Sequence, residues 1–247
     1  MRGPSATDRV RAELLKIWTT PATWAALAVT LAAHVLLGWI AGGTELRIAG
    51  TSGAVPLGQS GALMLAPVYV FAAVGVFAAG TEFAGGQLRT SLLAVPGRAA
   101  LFAAKLTATA LVCTVAAVVV VAPGYVLQHR VALADGRLPW SDVAAGIGSR
   151  VAVHVLLAVV GLGVAWLARS VVVPMIVLVV VGLLAAPTLR DSVPAVVARL
   201  PHDAALSAVG TPAGPEALTR TAGLAALALW GAVLAAAAWA ALARRDA

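Results

Sequence analysis

Between Arg150 and Pro187 the chain carries a single charge, Arg169. As one helix this run of roughly 37 residues would measure ~55 Å, well beyond the ~30 Å hydrocarbon core of a bilayer. A charge at the bilayer centre costs ~3 kcal/mol or more. The run therefore reads as two crossings, 150–168 and 171–186, joined by a tight hairpin at Arg169-Ser170. Pro174 fits the first turn of the second crossing, where its missing N–H costs nothing.

Four more apolar runs have spanning length: 21–41, 60–80, 99–127 and 220–243. The first would be ~31 Å long as a helix. Trp24 and Trp39 sit near its ends, where indole favours the membrane interface. The fold expected is an all-α membrane protein with about six transmembrane helices. Composition agrees: 61% of residues are hydrophobic and 11% charged, against roughly 25% charged in soluble domains. Cys113, the only cysteine, allows no internal disulfide and reads as a small buried hydrophobe.

Residues 1–20 are polar and do not read as a cleaved signal peptide. Val10, Leu14, Ile17 and Trp18 share one helical face. Such a helix would lie in the interface with Arg9, Arg11 and Lys16 toward lipid phosphates. Two longer polar connections are expected, Gln128–Ser149 and Arg190–Thr219. The second is proline-rich and holds a short apolar stretch, Ser192–Leu200, that could insert partly.

The 17 basic residues outnumber 10 acidic ones. They stand singly beside apolar runs, as orientation signals do, so nucleic acid is not the expected partner. With the N-terminus inside, ten fall on the cytoplasmic side: Arg2, Arg9, Arg11, Lys16, Arg89, Arg98, Lys105, Arg169, Arg244 and Arg245. Seven fall outside: Arg47, Arg130, Arg137, Arg150, Arg190, Arg199 and Arg220. The positive-inside rule thus puts both termini, and the tail 244–247, in the cytoplasm of a cell-membrane protein.

The loop between the second and third spans is the most informative segment. It runs from Glu82 through Gly86, Arg89, Leu92, Leu93 and Pro96 to Arg98, with Lys105 beyond. Leu88, Leu92 and Leu93 share a helical face beside Arg89, and Pro96-Gly97 stops the helix. Two readings stay open from the residues alone. An apolar-faced helix just outside the membrane suits docking to a soluble partner. A loop that only holds bases at the phosphates explains the same pattern.

This segment resembles the permease family of ABC transporters, type 2 exporter class, in its bacterial six-helix form. The resemblance rests on Glu82, Gly86, Arg89, Leu92, Leu93, Pro96, Arg98 and Lys105 in that order. Gln87 departs from the threonine often found after the glycine. Glu13-Leu14-Leu15-Lys16 ahead of Trp18 and Trp24 resembles the family's N-terminal helix. Leu167-Ala168-Arg169-Ser170 and Leu200-Pro201-His202-Asp203-Ala204 resemble its later segments. The resemblance implies a cytoplasmic coupling helix, seated in a groove on a separate ATP-binding subunit, with Glu82, Gly86, Arg89, Leu92, Leu93, Pro96 and Arg98 as its residues. It implies an interfacial helix carrying Glu13, Lys16 and Trp18, a partly re-entrant Arg190–Leu206, and pairing with a second permease copy or a paralogue.

The sequence has no G-x-x-x-x-G-K-[ST], so ATP is expected on another chain and no cofactor on this one. It also lacks H-E-x-x-H and any acidic cluster for metal chemistry, so an enzyme is not expected. A membrane-embedded enzyme and a non-catalytic anchor or assembly factor remain the alternatives. His34 and His154 fall inside spans, as packing residues or as part of a transport path.

Overall fold

The computed structural model describes residues 4–43, 47–50 and 53–244. Arg2 and Arg245 lie outside the described residues. Among the described residues, six helical stretches are long and apolar enough to cross a membrane. This is an all-helical membrane protein fold, with one short hairpin at an edge.

Helix α1 spans Ala6–Thr19 and begins with a reciprocal cap. The Asp8 backbone N–H donates to Ser5 Oγ at 3.2 Å, and Ser5 N–H donates to the Asp8 carboxylate at 3.1 Å. These two bonds satisfy donors that a helix start leaves open. The hydrogen bonds from Ser5 hold the Asp8 carboxyl below its usual range.

The first crossing is α2, Pro21–Gly43. A hairpin follows: β1, Arg47–Gly50, pairs antiparallel with β2, Gly53–Pro56, with Arg47 opposite Pro56. The second crossing runs Gly61–Phe83 and contains α3, Gly61–Leu65, and α4, Pro67–Gly80. Helix α5, Gln87–Ala94, is the short helix expected in the loop. The third crossing is α6, Arg98–Gln128. At 31 residues it is about 46 Å long, so it tilts or protrudes beyond a 30 Å core.

The connection after α6 differs from the expected polar loop. It forms α7, Arg130–Ala134, and then α8, Trp140–Ala168, which begins ten residues before the expected span. Pro139 in extended conformation precedes it, and proline suits a helix start better than a helix interior. Arg150 is therefore inside a helix, not at its head.

Helix α8 ends at Arg169, whose φ of 50° is left-handed. The Ser170 hydroxyl then accepts from the N–H of Val172 at 3.1 Å and starts the next helix. This is the hairpin expected from the charge in the long apolar run. The fifth crossing joins α9, Val172–Val179, a π-helical turn over Val180–Ala185, and α10, Ala186–Leu189. The widened turns lie just before Pro187, which has no N–H to give and whose ring crowds the carbonyl four residues back.

Two short helices follow, α11, Pro194–Val197, and α12, Pro201–Ala208. All residues from His202 to Ala208 are buried. The expected partly inserted stretch, 192–200, is only the lead-in; the enclosed helix is α12. The last crossing is α13, Arg220–Arg244.

Helices α4 and α8 form the middle of the bundle, their apolar windows 67% and 56% buried. The windows of α2, the fifth crossing and α13 are only 17–22% buried. Their outward residues include Val29, Leu36, Ile176, Leu184, Leu229 and Val233. Water would tolerate no such apolar surface, whereas lipid does. An apolar groove of about 800 Å³ between α1, α2 and α6, walled by Trp18, Trp24, Leu27 and Val115, suits lipid chains.

The ends of the bundle differ. One, here the basal end, gathers α1, α5, the Arg169 turn and the close of α13. The distal end gathers the hairpin, α7, α11 and α12. There Arg190 clasps Asp203 through two nitrogens at 2.9 and 3.0 Å, and Tyr69 Oη meets His202 Nδ1. Burial lowers the His202 pKa from 6.5, with Arg190 adding to that effect and Asp203 opposing it. The unfolded chain then binds the proton more readily, so stability falls as pH drops below about 6.5. The unfolding midpoint is expected to decrease from pH 7.5 to 5, and His202→Gln to flatten that slope. An unchanged slope in the variant would assign it to other groups.

Candidate functional site

The basal end gathers four charged groups from three separate segments of the sequence. Lys105, on α6, is buried and bonds both Glu13 of α1 and, at 2.9 Å, Glu82. Lys16 donates to Glu13 at 2.8 Å, to Glu82 at 2.8 Å and to the Ser91 hydroxyl at 2.9 Å. Ser91 donates onward to Glu82 at 2.9 Å. Two ammonium groups thus face two carboxylates, with no net charge to bury. Such balance, with lone pairs filled by hydrogen bonds, is what makes buried ions tolerable.

Burial pulls the Lys16 pKa down, but the hydrogen bonds it donates to Glu13 and Glu82, with the attraction of those two charges, outweigh it and raise the pKa from 10.5. Lys16 is therefore charged at any physiological pH.

This geometry corrects two expectations. Lys16 does not reach toward lipid phosphates; it turns inward to the cluster. Glu82 is 1% exposed and offers nothing to a partner surface; it locks α5 to α1 and α6. A cleft of about 350 Å³ opens beside the cluster, edged by Thr19, Thr20, Thr81 and Gln87.

Helix α5 is reached through Gly85 and Gly86, both left-handed at φ 60° and 75°. Only glycine takes that conformation readily, and two in succession reverse the chain within a few ångströms. The helix then lies with Leu88 buried and Leu92 and Val95 half-buried against the core. Leu93 does not share that face: it is 78% exposed. Gln87, Arg89, Thr90 and Ala94 are exposed with it, and so is Pro96. The apolar face is thus spent on this chain's own core. The outward surface is a small mixed patch of one arginine, two polar residues and a leucine.

Arg98, just past α5, donates to the carbonyl of Leu242 at 3.0 Å near the end of α13. A cation at a helix C-terminus meets the open carbonyls and the negative end of the helix dipole. Phe83 stacks edge-on against Trp166 at 5.2 Å, and Arg169 lies 5.7 Å over the Phe83 ring. Trp18 packs edge-on against Trp24 at 4.7 Å, and the Trp24 indole N–H donates to the Trp18 carbonyl. That pair fixes the corner between α1 and α2.

Among the described residues no group of three His, Cys, Asp or Glu could hold a metal. Compared with known proteins, the chain matches no family model and no curated protein. The fold and the basal cluster define a multi-pass helical membrane protein with a clamped, outward-facing foot helix.

Proposed function

We propose that this chain is the membrane-spanning permease subunit of an ATP-driven ABC exporter of the type 2 class. It forms the substrate pathway with a second copy or a paralogue, and a separate ATP-binding subunit docks on α5. The observation that carries this reading is the state of α5. Its inner face is fastened by buried charges and leucines, while Gln87, Arg89, Thr90 and Leu93 project without use inside the chain. A helix held rigidly while presenting a mixed polar and apolar face suits a docking role. The basal end is then cytoplasmic, with the bases Arg89, Arg98, Arg169 and Arg244 as its signature.

Purified from its own cells in mild detergent, the tagged protein is expected to bring down a polypeptide with ATPase activity. Arg89→Glu should abolish that association while leaving the unfolding midpoint near wild type, because Arg89 is exposed. Failure of the wild-type protein to retain any ATPase would end the reading. Orientation has its own test. A thiol introduced as Thr90→Cys should resist an impermeant maleimide in intact cells and react after lysis; Cys113 is buried and stays silent. Labelling in intact cells would turn the protein the other way round.

A further inference from the structure

Near the distal end, a second polar site lies between α2, α6 and α8. Arg150 points into the bundle from α8 and has no carboxylate partner among the described residues. Its guanidinium donates to the Gly146 carbonyl at 3.3 Å and sits 4.5 Å over the Tyr125 ring. Arg150 is half-buried near the distal end of α8, and a cation held between helices without a counter-ion is a candidate ligand-binding group.

Arg150 borders a cavity of about 20 Å³ together with His34, Tyr125, Gln128 and Met64. That is room for one water-sized group. His34 Nδ1 lies 3.0 Å from the Thr30 carbonyl, so it carries the hydrogen and Nε2 is left as an acceptor. His154 repeats the arrangement with the Arg150 carbonyl at 2.7 Å, and its buried Nε2 has no partner. The two rings are 5.1 Å apart. The cavity therefore brings a cation with no carboxylate partner among the described residues beside the His34 imidazole, and the buried, unpartnered Nε2 of His154 lies behind it.

An acid group answers both deficits. One oxygen accepts from the Arg150 guanidinium, and the acidic proton goes to imidazole Nε2, either shared or transferred. We infer that the Arg150–His34 cavity is a binding site for the oxygen of an oxyacid, a carboxylic or phosphoric acid group on a small molecule or a lipid. The cavity takes one such oxygen, and the rest of the molecule stays outside it. The site stands apart from the proposed ATPase docking and fails or holds independently of it.

The test uses the full chain in neutral detergent, with the unfolding midpoint followed by tryptophan fluorescence. The probes are acetate, laurate, phosphatidylglycerol and, as the uncharged control, dodecanol. At least one acidic probe is expected to raise the midpoint saturably, beyond any effect of dodecanol. Arg150→Gln should weaken that probe about tenfold or more, since charge-assisted bonds to an oxyacid are the strong ones. Arg150→Lys keeps the charge and safeguards the test if the glutamine variant does not fold. It should weaken binding to a lesser degree, because the planar fork is lost. Response to acetate assigns the site to small acids; response to laurate or the phospholipid alone assigns it to amphiphiles. Either supports the inference. No acid-specific response in the wild type, or full affinity in both variants, overturns it.

Discussion

Lys105→Met is expected to destabilise the protein by about 3–5 kcal/mol, the cost of leaving buried carboxylates without their partner. Lys105 is 2% exposed, and its ammonium bonds both Glu13 and Glu82, themselves 3% and 1% exposed. Lys16 alone would then face two carboxylates in a site that water reaches poorly. Adding Glu82→Gln should recover part of the loss, since it removes the charge left over. Non-additivity of this kind is the mark of groups that share one network. Thermal unfolding in detergent gives the energies. Hydrogen exchange over Gln87–Ala94 gives the local consequence, because α5 hangs on Glu82 and Ser91. A loss below ~1 kcal/mol, no larger than an exposed ion pair, would mean that the cluster does not hold the basal end.

The second large effect concerns the centre of the bundle. Gly75 of α4 faces the backbone of α8, and a Cβ placed there would run into the Ala158 carbonyl oxygen. A backbone cannot step aside as a side chain does, so Gly75→Ala must push the two helices apart. The expected loss is about 3 kcal/mol, the upper part of the range for overpacking. Gly148→Ala is the matched control. It lies in α8 with nothing within 4 Å of the added carbon, and alanine favours a helix over glycine by about 1 kcal/mol. The same chemical change should therefore weaken the protein at one site and strengthen it at the other. Equal effects at both would show that helix approach at Gly75 is looser than described.

The crossings were legible because lipid imposes a length and a polarity on every helix that enters it. The hairpin at Arg169 followed from one charge and one length. Gly75, Gly161 and Gly163 sit against neighbouring helices and Gly80 against the Ser170-Val171 turn, the close approaches that small residues in spans allow. The approach of Gly38 to Gly124 was not legible, because it depends on which helices are neighbours. The early start of α8 escaped for a different reason. Polar residues such as Ser141, Asp142 and Ser149 resemble a loop in sequence, but a helix extending past the membrane surface has no need of apolar residues.

The site divides in the same way. A short helix over Gln87–Val95 was expected from Leu88, Leu92, Leu93 and the Pro96-Gly97 stop, and it spans Gln87–Ala94. Its correct face was not, because Leu93 stands about 100° further around the helix than Leu92. Glu13, Lys16, Glu82 and Lys105 all carried attention individually. Their meeting could not be read, since charge pairing across 92 positions of chain leaves no periodic trace. His34 and His154 stood without an acid partner in sequence, and in space they come together below an arginine that also has none among the described residues.

The bonding around α5 has a mechanical corollary. On its leading side Glu82 ties it to α1 and α6; on its trailing side Arg98 grips the last carbonyls of α13. A load applied to so small a lever is split at once among three rods spread around the bundle. Tilting it cannot move one of them alone, so whatever pulls on this lever turns the base of the molecule as a unit.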